Sequence, residues 1–177
     1  VTRRPRLPPT LRWRGDARTG HLELLDQTLL PGRIRVVKIR TVAALVDAIR
    51  RLAVRGAPAL GVAGAYGVVL AARSPSPARA AARIREARPT AVNLALGVGR
   101  ALGSPDGPLA EAKRMHAEDA GFCEAMGRHG ARLLRNGGTY VTHCNTGALA
   151  TAGIGTAFAV FVVGKRAGMR FTVLADE

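Results

Sequence analysis

Three short segments carry residue types that can do chemistry: Arg55-Gly56-Ala57-Pro58, Arg88-Pro89-Thr90, and Thr142-His143-Cys144-Asn145-Thr146-Gly147. In the first, a guanidinium stands beside a glycine that lets the backbone come close, and a fresh helix N-terminus follows. Unpaired N–H groups, the helix dipole and the arginine all favour an anion there. An ordinary helix-to-helix turn, for which Gly and Pro already suffice, accounts for the same residues equally well. The second segment repeats the order of Arg, Pro and helix start, so two arginines at two helix N-termini can converge on one phosphate. For Arg88 alone, a solvated charge at a helix end is the common alternative. The pair argues more strongly than either member.

Cys144 falls between a strand end and a helix start, where open parallel sheets bind their ligands. A helix N-terminus stabilises a thiolate. A buried, inert cysteine is the commoner case, but the polar, Gly-flanked setting favours a functional thiol here. The remaining candidates are weaker. His116, Glu118, Asp119, Cys123 and His129 share one predicted helix but lack Cys-x-x-Cys and paired-His zinc spacings, so they read as solvated or packing residues. Cys123, mid-helix among apolar neighbours, reads as core. Gly147, Gly153 and Gly155 do not form a dinucleotide fingerprint, and no Walker phosphate loop occurs.

The elements that must position these residues follow from pattern. Residues 11–39 alternate apolar and polar over short runs broken by Gly15, Gly20 and Pro31-Gly32, which predicts short antiparallel strands at 11–13, 21–25 and 33–39. Thr41 is a predicted N-cap, with Val42, Leu45, Ile49 and Leu52 at helical spacing behind it. Gly56 stops that helix and Pro58 opens the next. There Gly61, Gly64 and Gly67 cost helix propensity, so they are expected to admit a close neighbour. A third helix runs from Ser76-Pro77 to about Arg88, because Pro89 follows. A fourth, capped by Thr90, runs to about Leu102, and a long fifth occupies 109–134. After Asn136-Gly137-Gly138 the pattern changes to a strand at 139–142, a turn at 144–147, a helix over 148–166 and a strand at 171–174.

The fold class is therefore α/β. Residues 1–136 form a small antiparallel sheet plus helices, and 137–177 the first strand–helix–strand of a Rossmann-like parallel sheet. Two parallel strands cannot bury both faces of a sheet alone, so truncation, or completion of the sheet by a second chain, is expected.

Composition bounds the function classes. The 177 residues are 47% hydrophobic, enough to fold, but only 4% aromatic, so the core must be built from Ala, Val, Leu and Gly. Lys and Arg number 27 against 12 Asp and Glu, a formal charge of +15, a surplus that suits nucleic acid. The arginines are scattered, however, without aromatic interleaving. A coding bias plus a missing acidic remainder is the better account, and no nucleic-acid partner is expected. The two uncharged stretches, 56–72 and 145–164, are rich in Gly, Ala and Thr rather than Leu and Phe, so buried helices are expected instead of membrane spans. Two cysteines without framework spacing suit a reducing cytosol. The basic, Pro-rich residues 1–9 lack a signal-peptide core.

Taken together, residues 11–31 (LRWRGD…LELLDQTLLP), 54–67 (VRGAPALGVAGAYG), 88–94 (RPTAVNL) and 142–156 (THCNTGALATAGIGT) resemble the bacterial methylthioribose-1-phosphate isomerases. These belong to the larger family that includes initiation-factor exchange subunits. The resemblance implies an active site between the two domains, with Arg55, Gly56, Ala57 and Arg88 on the substrate phosphate and Cys144 as the catalytic thiol. It implies isomerisation of methylthioribose 1-phosphate to methylthioribulose 1-phosphate in methionine salvage, by a cytoplasmic homodimer, without metal or nucleotide. Phosphate blocks the anomeric oxygen, so hydrogen must move between C1 and C2 by acid–base or hydride-type chemistry, with a carboxylic acid partner. The family's catalytic Asp lies beyond residue 177; Asp176 and Glu177 match a strand-end motif and are not expected to replace it. A ribose-1,5-bisphosphate isomerase is the nearest rival within the family. A non-catalytic regulatory subunit is the rival from another class, and the retained Cys144 speaks against it.

Overall fold

The structure is a computed structural model that describes residues 7–176; residues 1–6 and Glu177 lie outside the described residues. Apolar–polar alternation makes β1 (Leu11–Arg14), β2 (His21–Leu25) and β3 (Val36–Ile39) an antiparallel sheet in the order β1-β2-β3. Leu11, Trp13, Leu22, Leu24 and Ile39 enter the core, while Arg12, Glu23 and Lys38 stand in one cross-strand row on the other face. β3 begins later than the predicted 33–39. Arg33 and Arg35 serve the connection instead, the first through its N–H to Leu29 O and the second through its carbonyl to Asp26 N–H.

Five helices follow: α1 (Val42–Arg50), α2 (Ala57–Ala71), α3 (Pro77–Arg85), α4 (Val92–Leu102) and α5 (Pro108–Ala131). Thr41 caps α1 as predicted, its hydroxyl accepting from Ala44 N–H at 3.2 Å. α2 is the axle of this part of the chain. Every residue from Ala59 to Ala71 is buried, with α1, α3, α4 and α5 packed around it. The glycine spacing has the expected use, since a Cβ on Gly64 would press into Leu94 of α4. At Gly97 of α4 the approach is closer still: a Cβ there would collide with the Gly61 carbonyl, so α2 and α4 meet backbone to backbone. Two predicted boundaries shift. α3 ends at Arg85, and α4 starts at Val92 with Ala91, not Thr90, at its cap. The residues between close as turns, with Ala87 N–H on Ile84 O and Ala91 N–H on Arg88 O.

The last part is the expected strand–helix–strand unit: β4 (Thr139–His143), α6 (Ala157–Arg166) and β5 (Thr172–Asp176), with β4 and β5 parallel. Its helix is shorter than the predicted 148–166. Residues 148–150 form a single 3-10 turn inside a loop whose two ends, Gly147 and Gly155, bridge each other. α5 packs along α6 on one side and against α2 and α4 on the other, tying the unit to the helical body. Among the described residues, no helix is long and apolar enough to cross a membrane.

Candidate active site

Cys144 follows the last residue of β4 with φ +67, a left-handed backbone that costs a non-glycine residue about 1–2 kcal/mol. Such a conformation persists where the surroundings impose it, and it concentrates at functional sites. Here the surroundings are well defined. Cys144 N–H donates to Asp176 O at 2.9 Å, continuing the parallel ladder one step past β4. The Thr142 and Thr146 hydroxyls meet at 3.0 Å across the turn. His143 Nδ1 and Asp176 Oδ1 lie 3.0 Å apart on the exposed side. The reversal presents an exposed thiol to a cavity of about 910 Å³ at the carboxyl ends of both strands. Thr10, Cys144, Ala148, Ile154, Phe158 and Asp176 are among its lining residues.

The helix-start setting expected for Cys144 is not found. α6 begins only at Ala157, and Thr156 N–H is committed to Thr146 O at 2.8 Å, with Phe158 N–H directed to the same carbonyl. The loop's own carbonyl therefore caps the helix. Asp176, which is not expected from sequence to supply the catalytic carboxylate, lines the cavity beside Cys144.

The Arg55 turn reaches this site from behind. Gly56 has φ +95, and a Cβ there would sit 2.5 Å from Ala150 Cα, so only glycine lets the turn lie against the cavity loop. Ala57 starts α2, Pro58 occupies its first turn, and the Arg55 side chain is exposed. Arg88 lies half-exposed in the turn before α4. The starts of α2 and α4 are brought together: Pro58 and Asn93 line one recess of about 290 Å³, and Gly61 abuts Asn93. Neither arginine is among the residues lining the larger cavity.

Three side chains hold the loop between Gly147 and Gly155: Thr10 and Gln27, which no sequence pattern marks, and Asp119, which reads from sequence as a solvated or packing residue. Thr10 Oγ1 donates to Ala148 O at 2.6 Å, and the buried Gln27 donates through Nε2 to Leu149 O at 2.7 Å. Asp119 Oδ2 accepts from Ala152 N–H at 2.6 Å. Gln27 N–H also reaches Ala53 O at 3.0 Å, so one residue links the approach to the Arg55 turn with the cavity loop. Behind the loop, Tyr66 stacks on Trp13 and shares a hydrogen bond with His116 Nδ1. Burial pushes the Tyr66 hydroxyl up to about 12 and lowers the His116 imidazole. Burial likewise raises the Asp119 carboxyl and the Cys123 thiol, which is core, as expected.

A small antiparallel sheet, a helical body and a parallel strand pair with a thiol at its carboxyl end define a mixed α/β protein with a candidate site at the strand ends. The Initiation factor 2 subunit family matches residues 53–177, and the chain belongs to that family. It is similar to the methylthioribose-1-phosphate isomerase of Gemmatimonas aurantiaca, at 46% identity over 98% of this chain and 56% of that protein. It is also similar to the 5-deoxyribose 1-phosphate isomerase of Moorella thermoacetica, at 42% identity over 90% of this chain and 52% of that protein. Among solved structures, it superposes on the translation initiation factor eIF-2B, subunit delta, from A. fulgidus with a TM-score of 0.82. Their identity is 39%, over 96% of this chain and 54% of that one. For the 5-methylthioribose 1-phosphate isomerase of Pyrococcus horikoshii the TM-score is 0.77 at 25% identity, over 96% of this chain and 60% of that one. The chain spans about half the length of the curated relatives it matches.

Proposed function

We propose that this chain carries the phosphate grip and the thiol of an aldose–ketose isomerase that converts 5-methylthioribose 1-phosphate to 5-methylthioribulose 1-phosphate in methionine salvage. The observation that carries the reading is the seating of Gly56 against Ala150, which joins the Arg55 turn to the loop that follows Cys144. In this reading residues 1–136 supply the anion site: the Arg55 and Arg88 guanidinium groups, with the Gly56 and Ala57 backbone at the start of α2, face the phosphate. Residues 137–177 supply Cys144 at the reacting carbons. The whole enzyme works as a cytoplasmic homodimer, without metal or nucleotide.

A phosphate on the anomeric oxygen prevents ring opening to an aldehyde, so hydrogen moves between C1 and C2 by acid–base or hydride-type chemistry, with a carboxylic acid as partner. In this reading the acid comes from outside residues 1–177, so these residues alone bind the sugar phosphate without turning it over. The relative named for 5-deoxyribose 1-phosphate differs in the substituent at C5, so the grip on C1 phosphate is the shared element.

Calorimetric titration of methylthioribose 1-phosphate into the chain tests this. Arg55→Ala and Arg88→Ala each weaken binding about ten-fold, the loss of one charge-assisted contact, and Cys144→Ser leaves it within about two-fold. Equal affinity in the parent and both arginine variants would overturn the assignment.

A further inference from the structure

One face of α5 presents His116, Asp119 and Cys123 to the loop that walls the cavity. Thr151 is fully buried there, its hydroxyl accepting from Gly153 N–H at 3.2 Å. Gly153 lies directly on the helix, where a Cβ would come 2.9 Å from Ala120 Cα and 3.1 Å from Cys123 Sγ. The next contact is polar: Ala152 N–H donates to Asp119 Oδ2 at 2.6 Å. On the far side of this tether, Ala152, Gly153 and Ile154 line the same cavity as Cys144. The carboxyl is half-buried, and desolvation works against its charge, so a free-standing surface role does not account for its placement.

We propose that Asp119 is a positioning residue: by holding Ala152 N–H from α5, it fixes the 152–154 wall of the cavity at the distance from Cys144 that a bound sugar phosphate requires. Thr10 and Gln27 hold carbonyls of the preceding turn, whereas Asp119 holds an N–H with an ionisable acceptor, the stronger kind of bond. The positioning role rests on the isomerase reading; the tether itself does not.

Hydrogen exchange across the chain, together with titration of methylthioribose 1-phosphate, separates the two. Asp119→Ala speeds exchange of the backbone amides of 151–155 by about ten-fold or more while the β1–β3 and α2 amides keep the parent rates. It also weakens sugar-phosphate binding about five-fold, the scale expected when a supporting contact is removed. Asp119→Asn, whose amide oxygen still accepts from Ala152, stays within about three-fold of the parent in both measurements. Parent-like exchange at 151–155 in Asp119→Ala overturns the proposal, as does acceleration spread evenly over the chain. Asn as damaging as Ala, or a local acceleration with unchanged affinity, does the same. If the exchange pattern holds but the parent binds no sugar phosphate, the tether stands and the isomerase reading fails.

Discussion

Helix α2 and the strand pair β4–β5 are both rich in apolar residues, yet the fold treats them in opposite ways. From Ala59 to Ala71, α2 has no residue in contact with solvent to any extent that matters, because four helices enclose it. In β4 and β5 only Thr142 is buried, and the register partners Val141 and Leu174 are 70% and 55% exposed. One face of the pair is covered, with Tyr140, Phe161 and Phe171 in mutual ring contact beneath it. The other is open. Stability is therefore concentrated in the helical body, and the candidate site sits at the margin of the less enclosed region. Strain at Cys144 is tolerable there because the densely packed body braces the adjoining loop.

That contrast can be broken by matched truncations. Leu45→Ala, at a fully buried site on α1, is expected to cost about 3 kcal/mol in urea unfolding, the loss of transfer energy plus a cavity. Gly97→Ala adds one methyl group where α4 meets the Gly61 carbonyl, and about 2 kcal/mol is expected, read as a lowered midpoint with an unchanged slope. Val141→Ala on the open sheet face should change stability by less than about 0.5 kcal/mol. A cost at Val141 approaching that at Leu45 would show the face covered in solution, and the comparison would then need redrawing.

The elements legible in the sequence share one property: their cause lies within a few residues. Thr41 caps α1 because its hydroxyl reaches an N–H three positions on. β2 runs over His21–Leu25, as alternation predicts. Gly61 and Gly64 mark a helix contact because a missing side chain has few other uses in so apolar a segment. The shortened α6 was not legible. Helical composition continues through 148–156, but the loop is drawn away by its partners: Thr10 lies 138 residues off in sequence, Gln27 122 and Asp119 33. Asp119 in particular looks like one more polar residue on a solvated helix until Ala152 arrives beside it. Thr90 illustrates the reverse. It has the right type for a cap, but the turn closed by Ala91 N–H on Arg88 O moves the helix start past it.

By itself the sequence determined which residues can bind an anion or act as a nucleophile, and the α/β order in which they occur. Residue type and short-range spacing control both. Only the tertiary structure decided that Gly56 meets Ala150, that Cys144 stands at the end of a strand in a left-handed turn, and that α6 starts after the cavity loop instead of within it. Those outcomes depend on contacts between residues far apart in the chain, where packing and backbone hydrogen bonds outweigh local preference.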